Sequence, residues 1–579
     1  EREFFMMTVK KFPEDMAQFA IDPSNTKKCL VHGFFQEEVE VQGSKRTFYT
    51  YITEGLLYNQ PCLVIAPPED VSVPEWAETG FWKEFAVKHQ VFLHFLEPQN
   101  GQWNLDGSDA DYMNRVYVQA QSRQFYVTMQ DNFYAFGFGK GATVAQQAVM
   151  KMTSEWSGLA TFGDLEEAAL LNCGAIQQAE QQGKVELAIS AQKAQIPVWM
   201  SWTENKGYNQ EVCAYWKQQN HCTDAVYSGQ GADEIYFPTE VYKKSAVNEE
   251  QISQVRVTNG FCGCLEQNVF ETVWTYVGAA RRHRCFGMKA LRSYKKPEAY
   301  GAERKTLEVD GFTRLWYEYV PEAVKKEGKP VPLVVCMHGR GGSAESFFDL
   351  SGMSCVAEER GFILLIPEAS ISQQKKNGIQ NLLLWNGAYQ GKEIDDTRFV
   401  LKMIDDVKSR YAIDEERIYA CGQSSGGMMT SELALRAPQV FAAVSPWSAL
   451  KSPDREVPLP ERIDPSVPYL FLLGENDWLC VDKEHGEQEY HVRHDIAAFL
   501  TNLMDLYKLD KNPARYQCGE IQYYVYCNQK GTPMLKVGVV KDMSHANYPR
   551  ESWIAYDEFF SKFSKKADGT LLYMGKDAI

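Results

Sequence analysis

Short apolar runs recur along the chain, separated by stretches long enough to hold one amphipathic helix each. PCLVIAP from Pro61 and PLVVCMH from Pro332 are continuous apolar segments, suited to parallel strands buried on both faces. Segments such as DTRFVLKMIDDVKSRY from Asp396 carry apolar residues at helical spacing instead. Alternation of the two kinds predicts an α/β fold, a mostly parallel sheet with helices on both faces.

The pattern occurs twice. Val39-Glu40-Val41-Gln42-Gly43, followed shortly by RTFYTYITE, is matched by Leu307-Glu308-Val309-Asp310-Gly311 and TRLWYEYVPE, an offset of 268 residues between Val41 and Val309. DNFYAFGFGKGATVA from Asp131 matches ERIYACGQSSGGMMT from Glu416, and IPVWMSWTENK from Ile196 matches VPYLFLLGEND from Val467. With the two proline-led runs, these matches keep one order, so the chain reads as two tandem copies of one unit. The first copy is expected over 1–284, closing with a helical stretch QNVFETVWTYVGAARR that mirrors ESWIAYDEFFSKF near the other end. The second copy is expected over 305–579. Between them, 285–304 is basic and interrupted by Pro297, which reads as a linker.

Candidate chemistry falls on the second copy. RIYACGQSSGGMMT from Arg417 predicts a strand, a sharp turn at Gly422-Gln423-Ser424-Ser425-Gly426 and a helix. Small residues two positions either side of Ser424 let strand and helix pass closely, as a nucleophile elbow requires. The strand before His338-Gly339-Arg340-Gly341-Gly342 ends in glycines that admit a reacting oxygen, so the N–H groups of Arg340 and Ser425 are candidates for an oxyanion hole. His338 itself reads as a brace for that loop. Asp477 follows a later strand and supplies a carboxylate able to orient an imidazole; His545 follows the last one. Serine, acid and histidine in that order, each after a predicted strand, match the order of an α/β-hydrolase triad. The expected fold is therefore two tandem α/β-hydrolase-type domains.

The first copy lacks that set. Gly139 stands where the nucleophile would be, Lys206 at the acid position, and Pro67-Pro68-Glu69-Asp70 in place of the glycine-rich loop. Its last loop, VTNGFCGC, has no histidine. It is expected to be catalytically inactive and to pack against, or overhang, the active copy.

The HGRGG segment, Trp385-Asn386, Asp395-Asp396 and the ending DMSHANYP give the second copy a resemblance to the polyhydroxybutyrate depolymerase and feruloyl esterase type of α/β-hydrolase, over roughly Leu307 to Phe563. The resemblance implies Ser424 as nucleophile, Asp477 as acid and His545 as base of a serine esterase acting through an acyl-enzyme on carboxylic esters, feruloyl, aryl or related, without metal or organic cofactor. Members often carry Cys where Arg340 stands and are often secreted. Activity is expected to rise with pH as the base loses its proton. Trp385, Tyr389, Trp447 and Trp478, near predicted strand ends, are candidates to stack on a substrate ring, with core or brace roles as the alternative for Trp385 and Trp447. A serine peptidase or amidase with the same triad, and a non-catalytic binding protein, are the alternatives to an esterase.

Composition narrows the rest. A net charge of −16 argues against nucleic acid as a partner, and no apolar run of membrane-spanning length occurs. The 14 Cys, Cys262 and Cys264 among them, show no metal-type Cys-x-x-Cys pair and are expected as reduced thiols. His485, His491 and His494 read as a solvated helix face rather than a metal site. The visible start, EREFFMMTVKKF, lacks a signal-peptide pattern and an initiator Met. A cytoplasmic location is expected, or a secreted one if a signal was removed. Oligomeric state is left open by the sequence.

Overall fold

The computed structural model describes residues 8–14, 28–121, 125–126, 132–174, 176–178, 188–190, 194–204, 207–239, 252–261, 266–283, 290–294, 296–374, 380–386, 388–389, 392–449, 466–548 and 550–579. Within them the chain builds two large sheets, each flanked by helices, in tandem α/β-hydrolase arrangement.

The first sheet has eleven strands: β1 (Val9–Lys11), β2 (Gly33–Val41), β3 (Ser44–Ile52), β4 (Cys62–Ala66), β5 (Phe92–Leu96), β6 (Phe133–Phe138), β7 (Gly158–Phe162), β8 (Val198–Trp202), β9 (Tyr227–Gly229), β10 (Ala232–Tyr236) and β11 (Val255–Asn259). Their order across the sheet is β1-β2-β3-β5-β4-β6-β7-β8-β11-β10-β9. The second has ten: β12 (Glu303–Val309), β13 (Phe312–Tyr319), β14 (Val331–Met337), β15 (Ile363–Pro367), β16 (Ile413–Gln423), β17 (Ala443–Trp447), β18 (Tyr469–Gly474), β19 (Ala514–Cys518), β20 (Ile521–Cys527) and β21 (Pro533–Val540). Their order is β12-β13-β15-β14-β16-β17-β18-β21-β20-β19. Apart from β1, the two orders correspond strand for strand.

Both sheets open with the same device. Gln42 and Gly43 between β2 and β3, and Asp310 and Gly311 between β12 and β13, all have positive φ, the backbone of a two-residue hairpin matched to strand twist. The inner strands are parallel and buried: every residue of β4, β5, β7, β17 and β18 is enclosed, which explains their unbroken apolar runs. The helices that matter for the site are α1 (Gly141–Lys151), α2 (Gln267–Val277), α3 (Asp396–Arg410) and α4 (Ser425–Arg436). In α3 the apolar face Phe399, Val400, Met403, Ile404 and Val407 is buried, and Asp395 caps its start by accepting from the Arg398 N–H at 3.0 Å.

Two expectations need correction. The closing helix of the first copy stops at Val277, and Ala280–His283 pairs antiparallel with Ala290–Ser293. So the stretch expected as a linker is no plain tether. Residues 284–289 and 295 lie outside the described ones; Leu291 is buried with Ala280 and Ile252, a short 3-10 turn spans Pro297–Tyr300, and β12 begins at Glu303. Burial of one leucine, together with Arg281 stacked 3.2 Å from the centre of the Tyr294 ring, turns a basic segment into part of the fold. The segment holding His485 and His491 is likewise a run of turns and bridges, with His494 opening the helix that follows, rather than one helical face.

The two regions touch through polar contacts beside the second sheet. Asn59 Nδ2 donates to the Gly341 carbonyl at 2.9 Å, Gln60 Nε2 to Glu345 Oε2 at 3.4 Å, and the Tyr294 hydroxyl to Glu345 Oε1 at 2.7 Å.

Candidate active site

The turn from β16 into α4 sets the site. Ser424 has φ 54° and ψ −120°, a left-handed conformation that a side-chain-bearing residue adopts only when its surroundings force it. A Cβ at Gly422 would lie 2.6 Å from the Met337 carbonyl oxygen, and one at Gly426 2.2 Å from the same atom. Only glycine at both positions lets strand and helix close around Ser424. The Ser424 N–H donates to the Trp447 carbonyl at 2.9 Å, which ties the apex to β17.

Ser424, His545 and Asp477 meet in a row at the carboxyl ends of their strands. His545 Nε2 lies 2.9 Å from Ser424 Oγ, and its Nδ1 lies 3.0 and 2.9 Å from the two oxygens of Asp477. With Nδ1 donating to a carboxylate, Nε2 offers its lone pair to the serine hydroxyl. Asp477 is fully buried and also accepts from the Leu479 N–H at 3.0 Å. Burial, and next the Asp477 carboxylate beside it, push the Cys480 thiol well above its ordinary range, so that this neighbour stays a neutral thiol.

The loops carrying acid and base are clasped to each other. Asn476 N–H donates to the Met543 carbonyl at 2.8 Å and Asp542 N–H to Glu475 Oε2 at 2.8 Å, while a Cβ on Gly474 would sit 2.4 Å from the Met543 oxygen. Beyond His545, the buried Glu551 accepts from Asn547 Nδ2 and from the Tyr548 N–H. Burial raises its carboxyl from 4.5 to about 8.

The glycine-rich loop lies against the serine. A Cβ on Gly339 would come 3.3 Å from Ser424 Cβ and 2.3 Å from Gln423 Oε1. Arg340 follows directly in this loop, and Ser425 is the first residue of α4, where an N–H has no partner within its own helix. His338 braces the loop from behind: its Nε2 accepts from the Ala369 N–H at 3.1 Å, and its Nδ1 donates to the Gly339 carbonyl at 2.7 Å.

Of the four aromatic candidates, two take the core or brace role that stood as the alternative to stacking. Trp385 is 6 % exposed and donates through Nε1 to the His338 carbonyl at 2.8 Å, so it holds the loop and presents no free ring face. Trp447 is wholly enclosed, with Nε1 donating to Ser445 Oγ at 2.9 Å; its ring packs in the core. Trp478, next to Asp477, is 43 % exposed and remains available. Tyr389 lies in a two-residue strand, Ala388–Tyr389, and its side chain falls outside the described residues.

Sequence reasoning missed a second brace. Asp396 accepts from the Asn386 N–H and from Arg314; Asp396 and Arg314 are buried at the foot of the loop. It recurs in the first region, where Asp109 accepts from the Asn104 N–H and from Arg46, and Trp103 Nε1 donates to the Pro67 carbonyl at 2.9 Å. Arg46 and Arg314 stand at the same 268-residue offset as Val41 and Val309, a signal that was legible.

The first region repeats the elbow with a glycine at its apex. Gly139 has φ 55°, and its N–H donates to the Phe162 carbonyl at 2.9 Å. Glu69, in the loop opposite, is taken up by the Trp103 N–H and by Lys140. Lys206, and Cys262 and Cys264 of the final loop, lie outside the described residues. Among the described residues no group of three potential metal ligands occurs, and no helix is long and apolar enough to cross a membrane.

Residues 316–453 match the family described as esterase PHB depolymerase. That interval holds the glycine-rich loop, His338, Trp385, Asp396 and Ser424, begins just after Arg314, and ends before Asp477 and His545. Feruloyl esterase B of Neurospora crassa is 32 % identical over 134 residues, 23 % of this chain and 43 % of that protein. Feruloyl esterase B of Talaromyces funiculosus is 33 % identical over 135 residues, 23 % of this chain and 36 % of its own length. The chain thus spans less than half of these curated relatives. Among solved structures, an acetyl xylan esterase from Aspergillus awamori is similar over 45 % of this chain and 99 % of its own, at 16 % identity and a TM-score of 0.32. Part of the chain is therefore an α/β-hydrolase-fold domain resembling the polyhydroxybutyrate depolymerase and feruloyl esterase families, and the first region is structurally similar to it.

Proposed function

We propose that residues 305–579 form a serine esterase and that residues 1–284 are a copy without hydrolytic activity. The observation that carries this reading is the hydrogen-bonded row from Ser424 through His545 to Asp477, with Ser424 held at a positive φ at the mouth of a helix. In the proposed reaction Ser424 Oγ attacks the carbonyl carbon of a carboxylic ester while His545 Nε2 accepts its proton. Asp477 stabilises the imidazolium. The N–H groups of Arg340 and Ser425 receive the oxyanion, each donor worth about 3 kcal/mol of barrier. Collapse of the tetrahedral species expels the alcohol, protonated by His545, and leaves an acyl-serine. Water, deprotonated by His545, then attacks the acyl carbon and releases the acid.

The substrate class proposed is a feruloyl or related aryl ester. It is supported by the likeness to two feruloyl esterases B and by the open ring of Trp478 beside the acid. A fluorophosphonate probe applied to the whole chain, with a panel of aryl and acetyl esters and matched anilides, tests the reading. Labelling that vanishes in Ser424→Ala, with esters turned over faster than anilides, is expected. Faster cleavage of the anilides would make the protein an amidase or peptidase. No labelling and no turnover would make it a binding protein.

A further inference from the structure

The repeat provides an internal control for a buried cation. In the second sheet Lys536 pairs across from Leu470, and in the first Arg256 pairs across from Trp199; both lie at the same place in the unit. Both residues are 6 % exposed, and both stack on tyrosine rings, Lys536 at 4.0 Å from the centre of Tyr523 and Arg256 at 3.9 Å from that of Tyr276. Their counter-charges differ. Lys536 Nζ is paired with Glu558 at 3.0 Å. Arg256 makes no ion pair among the described residues; its Nε donates to Gln254 Oε1 at 3.0 Å and its Nη2 to Gln230 Oε1 at 2.7 Å.

A guanidinium removed from water with only neutral partners lacks the compensation that buried charges normally have. Burial lowers its pKa from the ordinary arginine value, and no carboxylate counters that shift. The guanidinium also borders an unfilled space. A cavity of about 850 Å³ opens beside it, lined by Gln230, Phe237, Ile252, Thr272, Thr275 and Tyr276. Clefts of this size hold small organic molecules, with a few polar groups fixing orientation within an apolar wall. Here the polar group is a guanidinium whose Nε and one Nη2 N–H are engaged by the two glutamines, with Nη1 left among the described residues to donate to an oxyanion, and the wall is aromatic and aliphatic.

We propose that this cavity is a binding site for a small molecule bearing an oxyanion, a carboxylate or a phosphate monoester, on an apolar body, with Arg256 as its counter-ion. The site belongs to the first copy and does not depend on the reading of Ser424. In the second copy Glu558 occupies the equivalent charge position from within the chain. In the first, the ligand would take that part.

Calorimetric titration of the whole chain with benzoate, phenyl phosphate and neutral benzamide tests this. Saturable binding of benzoate or of phenyl phosphate, with none of benzamide, is expected, and the tighter of the two anions identifies the head group. Arg256→Gln should weaken that binding by about tenfold or more, the loss of a charge-assisted pair. Thr275→Glu places a carboxylate on the exposed face of α2 at the cavity wall and should block the site as strongly without lowering Tm, which separates loss of binding from loss of fold. Equal affinity for benzamide, no binding of either anion, or anion binding unchanged in both variants would overturn the proposal.

Discussion

Gly139 and Ser424 stand at one point of one backbone. Their φ angles are 55° and 54°, and each N–H reaches the carbonyl of the next strand at 2.9 Å, Phe162 in one region and Trp447 in the other. Beneath them the loop brace is also repeated, Trp103 with Asp109 and Arg46 against Trp385 with Asp396 and Arg314. The turn is thus held by strand, helix and brace, and persists without a nucleophile. In the second region a serine bears the strain of the left-handed backbone; in the first a glycine relieves it. On the proposed reading scaffold and chemistry are separable, and what distinguishes the regions is which side chains the common frame carries.

The sharpest way to break that comparison is to strip the second region of its proposed nucleophile. Ser424→Ala should lower kcat on an aryl ester by about a millionfold, to the level left by binding and the oxyanion donors alone. If the whole chain kept measurable triad-level turnover, the first region would have to be active after all. Next comes Asp477→Asn, which preserves shape but lets an amide face His545 Nδ1 and favours the wrong tautomer. A fall in kcat of about ten-thousandfold with little change in KM is expected, read from steady-state kinetics. A drop of only a few-fold would show that the imidazole is oriented by something other than this carboxylate.

How far these residues could be read from the chain differs from case to case. The elbow was legible because its demand is local: Gly422 and Gly426 are dictated by contacts to Met337, and any residue with a Cβ fails there. The two mostly parallel sheets were legible because buried parallel strands write themselves as apolar runs, and the repeat gave each run a second instance. Trp447 was left between a stacking and a core role for a physical reason: a strand turns alternate side chains to opposite faces, so a tryptophan at a strand end reads alike whether enclosed or open. Trp385 was left between a stacking and a brace role because its partner, the His338 carbonyl, is 47 residues away and becomes its neighbour only on folding. The bond from Asn59 to Gly341 crosses 282 residues, and no local pattern announces it.

That bond sharpens the comparison from the other side, by asking what the first region gives the second. Asn59 has φ 61°, so Asn59→Gly removes the amide and keeps the backbone. Without the donor the Gly341 carbonyl is untethered, and the loop bearing Arg340 loses its link to the first region. A fall in kcat of about tenfold, with KM nearly constant, is expected, because oxyanion donors act in the transition state. An unchanged kcat would leave the first region no part in positioning this loop.

A smaller effect concerns stability. Glu551 holds its proton to about pH 8 in the fold against 4.5 as the ordinary value, so between these limits the unfolded chain binds fewer protons than the native one. Stability contributed by the neutral form is complete below 4.5 and lost as pH rises through about 8. Glu551→Gln should remove this slope and exceed the parent in stability by a few kcal/mol at pH 8.5, with the difference vanishing near pH 4. Urea midpoints at both pH values check the sign. A difference that grew toward acid pH would mean that Glu551 is ionised in the fold.

The smallest expected effect is the most direct test of separability. Gly139→Ser puts a hydroxyl where Ser424 carries its own, and space is no obstacle, since the nearest atoms to the new Cβ, those of Pro68, lie 3.7 Å away. The positive φ makes the change cost about 1 kcal/mol of stability, a shift of a few degrees in Tm. In a Ser424→Ala background the added serine should hydrolyse nothing. Its sequence neighbourhood offers Lys206 at the acid position, no histidine in the last loop, and Pro67-Pro68 where the second region has its glycine-rich segment. A hydroxyl without a base is as weak a nucleophile as water, and a prolyl nitrogen has no hydrogen to give an oxyanion. Recovery of ester hydrolysis in that double variant would show that the frame itself, and not the three side chains mounted on it in the second region, supplies the decisive part of catalysis.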